Sequence, residues 1–263
     1  MMMKKLTAGF SALTLCCVML TGCGSSIPAN TVHSIADLSG KKIGVQKGTT
    51  AEILAEDIEN ADTRAYVKAA DGVQALEEGV IDAVIADLGT ANTFLESHPN
   101  IMILNETYDE EEYAIAIGKD RADLQAEINS ALLQLSVDGT LSTIKDNYEG
   151  DGQGQHPYTS KPDTDRSKGT LVMATNAEFP PFEWREGEKI VGFDVDMMQA
   201  VCDYLGYDLQ ISDMAFDAVI PAVNKGMADV GVAALSVTED RKELVLFSDV
   251  YETTHQVVIV RKK

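Results

Sequence analysis

The amino-acid sequence predicts a two-lobed α/β fold in which each lobe is a mainly parallel sheet flanked by helices, with strands joining the lobes as a hinge. The first supporting observation is the alternation of buried-strand patterns with amphipathic helix patterns, which is typical of parallel sheets. The second is an internal repeat, because residues 73–87 align with residues 220–234 and place Gly79 over Gly226. Ligands of open α/β sheets bind beyond the carboxyl ends of the strands. We therefore expect a ligand cleft where the strand ends of the two lobes face each other.

The first 22 residues have the pattern of a lipoprotein signal peptide, with a charged start and a short apolar run. The sequence Leu-Thr-Gly-Cys at residues 20–23 fits a lipoprotein cleavage box, so Cys23 would become the lipidated N-terminus. The alternative is an ordinary signal peptide followed by a coincidental cysteine. With lipidation, residues 23–33 form a tether, and the protein is anchored at the outer face of the cytoplasmic membrane or in the periplasm.

Composition and charge exclude several classes of partner. Among 263 residues, 42 Asp and Glu outnumber 21 Lys and Arg, which gives a formal net charge of −21. Such a chain repels nucleic acid and has no basic run to offset this, so no nucleic-acid partner is expected.

The four histidines lack metal-ligand spacing, so neither a metal site nor a cofactor is expected. Cys202 lies in an apolar helical pattern and is expected to be a small buried residue rather than a nucleophile.

Residues 34–112 are predicted to form the first lobe. Residues 41–45 have the pattern of a strand, and residues 49–52 form a capping box that opens a helix. Asp71 is predicted to cap the next helix, and residues 81–87 are predicted to form a buried strand.

A hinge strand is predicted at residues 113–119, followed by helices of the other lobe at residues 120–150. The first of these helices carries an apolar stripe typical of a core: Leu124, Ile128, Leu132 and Leu135. Gly, Pro, Ser, Thr and Asp dominate residues 151–169, which we interpret as an internal linker. The lobe then continues over residues 170–255, and residues 256–263 are predicted to form a C-terminal hinge strand.

The second half of the chain contains the stretch on which the function prediction depends. Residues 176–184 are predicted to form a loop, and Asp194 to cap a helix that ends at Gly206.

Further along, a helix is predicted to end at a turn with Gly226, and residues 230–234 to form a buried strand. The loop that follows carries a capping box from Ser236 to Glu239 and then Arg241. A guanidinium held beside free backbone N–H groups suits a bound carboxylate.

Several motifs distributed over both halves resemble one protein family. The motifs are NAEFPPFE, VGFDVDMM, FDAVIPAV, SVTEDRK, IGVQKGTT and DAVIAD. With them the chain resembles the bacterial extracellular solute-binding proteins of family 3 over nearly all of its length after the signal. The resemblance implies the type 2 periplasmic-binding fold and the role of an amino-acid receptor for an ABC importer.

The order of the two halves is reversed relative to that family, in which the FPPFE half comes first. The resemblance therefore implies a circular permutation, with residues 151–169 joining the family's C-terminus to its N-terminus. On this hypothesis residues 257–260 cross the hinge beside residues 113–117, and Lys263 ends near Ser34. The lipoprotein box before the first half favours a complete permuted protein. The alternative is a fragment of a tandem array whose halves pair between neighbouring units or chains.

The resemblance also implies a set of ligand-binding residues. Arg241 would bind the α-carboxylate of an amino acid as a bidentate partner. Ser236, Thr49 and Thr50 would assist it with hydroxyl or backbone donors.

The remaining implied contacts concern the other end of the ligand. Asp87 would bind the α-ammonium group together with the backbone carbonyl of Ala234. Phe179 and Phe216 would sandwich the side chain. Asn176 occupies a place where relatives often carry an aspartate that faces the ligand side chain.

Asn176 leaves the ligand class open, because an amide is neutral, although Glu178 nearby would restore a negative charge. We therefore expect a polar amino acid, neutral or cationic, and consider an acidic ligand less favoured.

The resulting hypothesis is a lipid-anchored monomer that closes on one amino acid and delivers it to an ABC permease with its ATPase. It has no catalytic residues. The alternatives are an enzyme similar to cyclohexadienyl dehydratases, which would need an acid or base in the cleft, and a ligand-sensing domain.

Overall fold

A computed structural model describes residues 27–148 and 153–263 of the chain. The predicted signal peptide and the lipidation site at Cys23 lie outside these residues. After a short 3₁₀ turn at Ile35–Leu38, the helices are α1 Thr50–Glu56, α2 Ala69–Glu77, α3 Leu88–Ser97, α4 Ala122–Val137, α5 Thr140–Tyr148, α6 Phe193–Leu205, α7 Phe216–Asn224 and α8 Glu239–Leu244. The first five strands are β1 Lys42–Gln46, β2 Asp62–Tyr66, β3 Ala83–Asp87, β4 Ile101–Tyr113 and β5 Ala116–Ile117. The others are β6 Thr170–Thr175, β7 Glu178–Phe179, β8 Glu183–Glu186, β9 Lys189–Val191, β10 Asp208–Asp213, β11 Val230–Gly231, β12 Leu246–Phe247 and β13 Glu252–Arg261.

Two five-stranded sheets of matching topology form the two lobes. Their strand orders are β2-β1-β3-β13-β4 and β10-β6-β11-β5-β12. In each sheet the first three strands are parallel, and the fourth strand is antiparallel to both of its neighbours. The fourth strand of each sheet comes from the chain of the other lobe, so the chain crosses between the lobes twice. The two-lobed α/β prediction is confirmed.

The internal repeat has a specific structural basis at one aspartate in each lobe. Asp82 exchanges two hydrogen bonds with the backbone of Lys42, at 2.8 and 3.0 Å. Asp229 makes the same pair of bonds with Val172, at 2.9 and 2.8 Å. Each aspartate therefore fixes the start of one parallel strand against its neighbour, which explains why the sequence repeats it at the same position.

Apolar side chains cover both faces of each sheet. One cluster on the second lobe contains the predicted stripe of α4, namely Leu124, Ile128, Leu132 and Leu135, all of which are buried. Cys202 belongs to the same cluster, and burial raises the pKa of its thiol to about 12. Both sequence predictions about core residues are therefore confirmed. None of the described helices is long and apolar enough to cross a bilayer.

The predicted hinge strands need correction. Residues 257–260 were expected to cross beside residues 113–117, but they lie within the first sheet between β3 and β4. They are buried on both faces, and four consecutive apolar side chains suit a central strand better than a crossing. The crossing itself lies where Glu252 pairs with Tyr113.

Three helix caps also differ from the sequence predictions. Helix α2 begins after Lys68, so Asp71 lies inside its first turn. Helix α6 begins after Gly192, whose φ of +139° excludes most side chains, and Asp194 is a buried first-turn residue. Helix α8 is capped by Thr238 rather than Ser236. In each case the actual cap lies within three residues of the predicted one, which is the usual uncertainty of helix boundaries predicted from sequence.

Two segments between the main elements also have more structure than predicted. The predicted loop at residues 176–184 contains β7 and the start of β8, which pair with β9 in a small third sheet. The described part of the predicted linker packs against α6, since the Tyr158 hydroxyl donates to Asp203 at 2.9 Å. Arg166 of the same segment contacts Asp203 at 2.6 Å. Residues 151 and 152 of the linker lie outside the described ranges.

Candidate functional site

The two lobes meet across a closed cleft at the carboxyl ends of their parallel strands. Direct contacts join Gln46 Nε2 to Asn176 Oδ1 at 2.9 Å, Lys47 to Asp217 at 2.8 Å, Lys68 to Glu178 at 2.5 Å, and Thr90 Oγ1 to the Pro180 carbonyl at 3.0 Å. Gly48 approaches the second lobe so closely that an added Cβ would lie 2.9 Å from the Cβ of Asp217. A side chain at this position would hold the lobes apart.

Arg241 is the half-buried cation of the cleft. Thr238 caps its helix, and the guanidinium donates to the backbone carbonyls of Ser236 at 2.7 Å and Gly48 at 3.0 Å. Its carbon lies 5.5 Å from the centre of the Phe216 ring. Burial lowers the pKa of Arg241, and within the described residues no carboxylate oxygen lies within 4.0 Å of its nitrogens. The cation therefore retains donors for an anion.

Glu111 is a cleft residue that the sequence analysis missed. Its carboxylate accepts from Gln256 Nε2 at 2.8 Å and is 7% exposed. Burial raises its pKa, while hydrogen bonds from Thr50, Gln256 and Ser236 oppose that shift, and its charge acts on Arg241. A run of acids such as the one at the end of β4 is typical of a solvated edge. The sequence signal for the burial of Glu111 is the alternation of the strand, which places it on the same side as the buried Tyr113.

Thr50 and Ser236 come together across the cleft, with their hydroxyl oxygens 3.5 Å apart. Along with Glu111 they line a cavity of about 500 Å³ between the start of α1, the end of β4 and the loop before α8. Thr49 is different, because its hydroxyl donates to the carbonyl of Gln46 at 2.7 Å. The structure thus brings Thr50, Ser236 and Arg241 together, and Thr49 supports their loop.

Asp87 is 1% exposed at the end of β3 and binds four donors of its own chain. Its Oδ1 accepts from the N–H groups of Gly89 at 2.8 Å and Thr90 at 3.3 Å, which makes it the cap of α3. Its Oδ2 accepts from the hydroxyls of Tyr113 at 2.8 Å and Thr254 at 2.6 Å. Burial raises the pKa of Asp87 despite these bonds. An α-ammonium group would have to share or replace one of these donors.

Only some of the residues predicted to contact the side chain of the ligand lie near Arg241. Asn176 donates to the carbonyl of Met214 at 2.9 Å and accepts from Gln46, so both ends of its amide are used. Phe216 lies beside Arg241, as described above. Phe179 instead stacks on Phe182, with ring centres 6.0 Å apart. Glu178 is paired with Lys68 and adds no unpaired negative charge.

Ala234 has a backbone conformation that the local sequence does not predict. Its φ is +47°, in the left-handed region that disfavours residues other than glycine. The N–H of Ala234 donates to Asp194 Oδ2 at 2.8 Å. Among the described residues no donor reaches the Ala234 carbonyl, which the sequence analysis assigned to the ligand.

One family model matches the chain, and it describes bacterial extracellular solute-binding proteins, family 3, over residues 171–263. This segment is similar to that family. It carries Arg241, Ser236 and Asn176, whereas Thr50 and Asp87 lie outside the matched residues. The family segment thus supplies one wall of the cleft.

Individual relatives agree with the family match. An arginine-binding extracellular protein, ArtP, of Bacillus subtilis (strain 168) is 36% identical over 104 residues, 40% of this chain and 41% of the relative. The L-cystine-binding protein TcyJ of Escherichia coli (strain K12) is 30% identical over 122 residues, 46% of each chain. The arginine-bound structure of domain 1 from TmArgBP is 38% identical with a TM-score of 0.32, covering 36% of this chain and 82% of that one. The chain spans less than half the length of these curated relatives.

Proposed function

We propose that the protein captures one amino acid between its lobes outside the cytoplasm and delivers it to an ABC importer. The observation that carries this proposal is Arg241, a half-buried guanidinium at the cleft with no carboxylate partner among the described residues. A ligand carboxylate would fill that role through charge-assisted hydrogen bonds, with Ser236 and Thr50 beside it. The relatives named for arginine and cystine binding support the same class of ligand.

The charges of the cleft favour a neutral or cationic amino acid. Arg241 contributes one positive charge, the carboxyl group of Glu111 acts on it, and the carboxyl group of Asp87 acts in turn on Glu111. A second carboxylate on the ligand would therefore meet like charges without a further cation. A cationic side chain would reduce the excess negative charge, which supports the ligand range expected from the sequence.

Calorimetry with each of the twenty amino acids at neutral pH tests the proposal. Several charge-assisted bonds support a Kd near or below ~1 μM for at least one polar amino acid. The amine that lacks the α-carboxylate of the bound amino acid is the matched control ligand, and it should bind at least ~100-fold more weakly. No heat with any amino acid, or equal binding of the decarboxylated analogue, would contradict the proposal.

We further propose that the protein is lipidated at Cys23, that its partners are a permease and its ATPase, and that it is a monomer. Mass spectrometry of protein extracted from membranes tests the first, because a lipidated Cys23 carries the added acyl mass and a Cys23→Ser variant does not.

We also propose the circular permutation. A chain with exchanged halves would match a colinear family model over one half only, which fits the match at residues 171–263. Ile27, Ala29 and Lys263 line one cavity, so the two ends of the described chain are neighbours. A variant that joins these ends by a short loop and opens inside residues 153–169 should bind the same amino acid with unchanged affinity. A changed oligomeric state of that variant on a sizing column would favour pairing between chains instead.

A further inference from the structure

Two carboxyl groups of the second lobe lie next to each other below the cleft. Neither has a role in the ligand contacts proposed above. Glu183 begins β8 and Asp194 lies in the first turn of α6, and both side chains are 0% exposed. The backbone holds them together, since the N–H of Asp194 donates to the Phe182 carbonyl at 3.0 Å. Gly192 approaches the same carbonyl so closely that a Cβ would lie 2.0 Å from its oxygen.

The hydrogen bonds of this pair leave three carboxyl oxygens without an N–H or O–H donor among the described residues. Oδ2 of Asp194 accepts from the Ala234 N–H at 2.8 Å and from the Tyr251 hydroxyl at 3.0 Å. Its Oδ1 and both oxygens of Glu183 have no such partner, although the two carboxyl groups are within hydrogen-bonding reach of each other. Two ionised carboxylates repel, whereas one proton between them forms a hydrogen bond and removes one buried charge.

The surroundings of the pair do not neutralise a second charge. The nearest acids already have cations of their own: Asp213 with Arg185 at 2.6 Å and Glu252 with Lys145 at 2.7 Å. The Tyr251 hydroxyl is the remaining titratable group that faces the pair. Burial is the largest cause that raises the pKa of Glu183 well above its usual range, and it raises the pKa of Asp194 to about 6.

We propose that Glu183 holds a shared proton against Asp194 at neutral pH and thereby acts as a positioning residue for ligand binding. Asp194 then remains an acceptor for two parts of the site. It fixes Ala234 in its left-handed conformation, from which the chain continues to Ser236. It also holds the hydroxyl of Tyr251, whose N–H donates to the carbonyl of Tyr113 at the crossing between the lobes.

The shared proton is tested on the full chain without ligand by measuring unfolding between pH 5 and 8. The unfolded chain releases the Glu183 proton above its ordinary pKa, while the folded protein retains it, so the proton makes folding less favourable as pH rises. In this range that single proton changes the folding equilibrium by up to about tenfold per pH unit. Glu183→Gln keeps a donor toward Asp194 and remains uncharged, so it should lose this contribution. The exposed Glu186→Gln on the same strand is the control and should keep it.

Equal pH dependence in wild type and Glu183→Gln would overturn the shared proton. If Glu183→Gln does not fold, the ¹³C carboxyl resonance of Glu183 in the wild-type protein gives the same answer. A resonance that titrates at the ordinary glutamate pH would equally overturn the inference.

The positioning role is tested by hydrogen exchange of the Ala234 amide. Asp194→Ala should accelerate this exchange at least tenfold relative to amides elsewhere in the second sheet, whereas Glu183→Gln should leave it unchanged. Unchanged exchange in Asp194→Ala would overturn the positioning role.

The effect on affinity rests on the proposed function. Wild-type affinity for the bound amino acid should weaken at high pH, where Glu183 loses its proton, and Glu183→Gln should not show this loss. Identical pH profiles of the two would overturn the link to binding. A protein that binds no amino acid would refute the proposed function, while unfolding and exchange would still decide whether the proton is shared.

Discussion

The repeat places two residues with different chemistry at equivalent positions, Asp87 at the end of β3 in the first lobe and Ala234 shortly after β11 in the second. Asp87 uses its own carboxylate to cap α3 and to bind two hydroxyls at the crossing between the lobes. Ala234 has no polar side chain, and a carboxylate from α6, Asp194, holds its backbone instead. The scaffold is repeated, but its ends are not: the first lobe contributes an acid, and the second a loop followed by a helix whose first turn carries Arg241.

This difference shows how one topology can supply an acid from one lobe and a cation from the other to the same cleft. The helix after Asp87 starts immediately, because the side chain satisfies its first N–H groups. After Ala234 the chain continues without a helix until Thr238 provides the next cap. The additional loop residues place the first turn of α8, which carries the Arg241 guanidinium, at the cleft.

The largest expected effect concerns the cation that distinguishes the second lobe. Arg241→Ala should weaken amino-acid binding by more than ~100-fold, because a buried carboxylate that loses its partner costs about 3–5 kcal/mol. The empty protein should remain folded, since among the described residues the Arg241 guanidinium donates to two carbonyls and lies over the Phe216 ring without pairing with a carboxylate. Calorimetry measures the affinity and circular dichroism checks the fold. Arg185→Ala, which removes a cation paired with Asp213 on the same lobe, is the control. Binding by Arg241→Ala within a factor of ~10 of wild type would show that Arg241 does not bind the α-carboxylate of the ligand.

An intermediate effect is expected at the two aspartates that the lobes share. Asp82→Ala and Asp229→Ala each leave one backbone N–H without its carboxylate acceptor, which should cost about 1–3 kcal/mol of unfolding free energy. The two losses should agree within ~1 kcal/mol, because the backbone contacts match and the additional ion pair of Asp229 with Arg121, at 3.4 Å, is partly exposed and contributes little. Urea unfolding of the two variants measures this. A large loss in one variant with none in the other would break the equivalence of the lobes.

The smallest effect is expected at the rim of the cleft. Lys68 and Glu178 form an exposed ion pair between the lobes, and such pairs contribute little. Lys68→Ala should change the Kd of the bound amino acid by less than about fivefold, and the change should shrink further in high salt. Titration at low and high ionic strength checks both statements. A much larger, salt-independent loss would mean that Lys68 contacts the ligand itself.

Local patterns in the sequence were sufficient for most of the fold. The glycine turns at Gly79 and Gly226 and the apolar stripe of α4 depend on residues close in sequence, and they were predicted correctly. The site was less accessible to such reasoning. Glu111 lies in an acidic run that resembles solvated surface, and its burial depends on Gln256, 145 residues away.

Two further residues show the same limit. Asp87 is predicted to bind the α-ammonium group, and in the structure its side chain caps α3. Its additional partner Thr254 is 167 residues away, so no local pattern could reveal it. The left-handed conformation of Ala234 depends on a carboxylate from another element and likewise has no local signal.

The position of β13 in the middle of the first sheet has a kinetic consequence. Because β13 lies between β3 and β4, β4 has no sheet partner until a segment more than 100 residues further along the chain has arrived. Closing so long a loop is entropically costly and slows folding in proteins dominated by non-local pairing. Until that strand is inserted, β3 exposes an apolar edge that is open to pairing with other molecules. The arrangement that ties the lobes together therefore makes completion of each sheet a late, non-local step, because β5 of the second sheet likewise waits for β11 and β12.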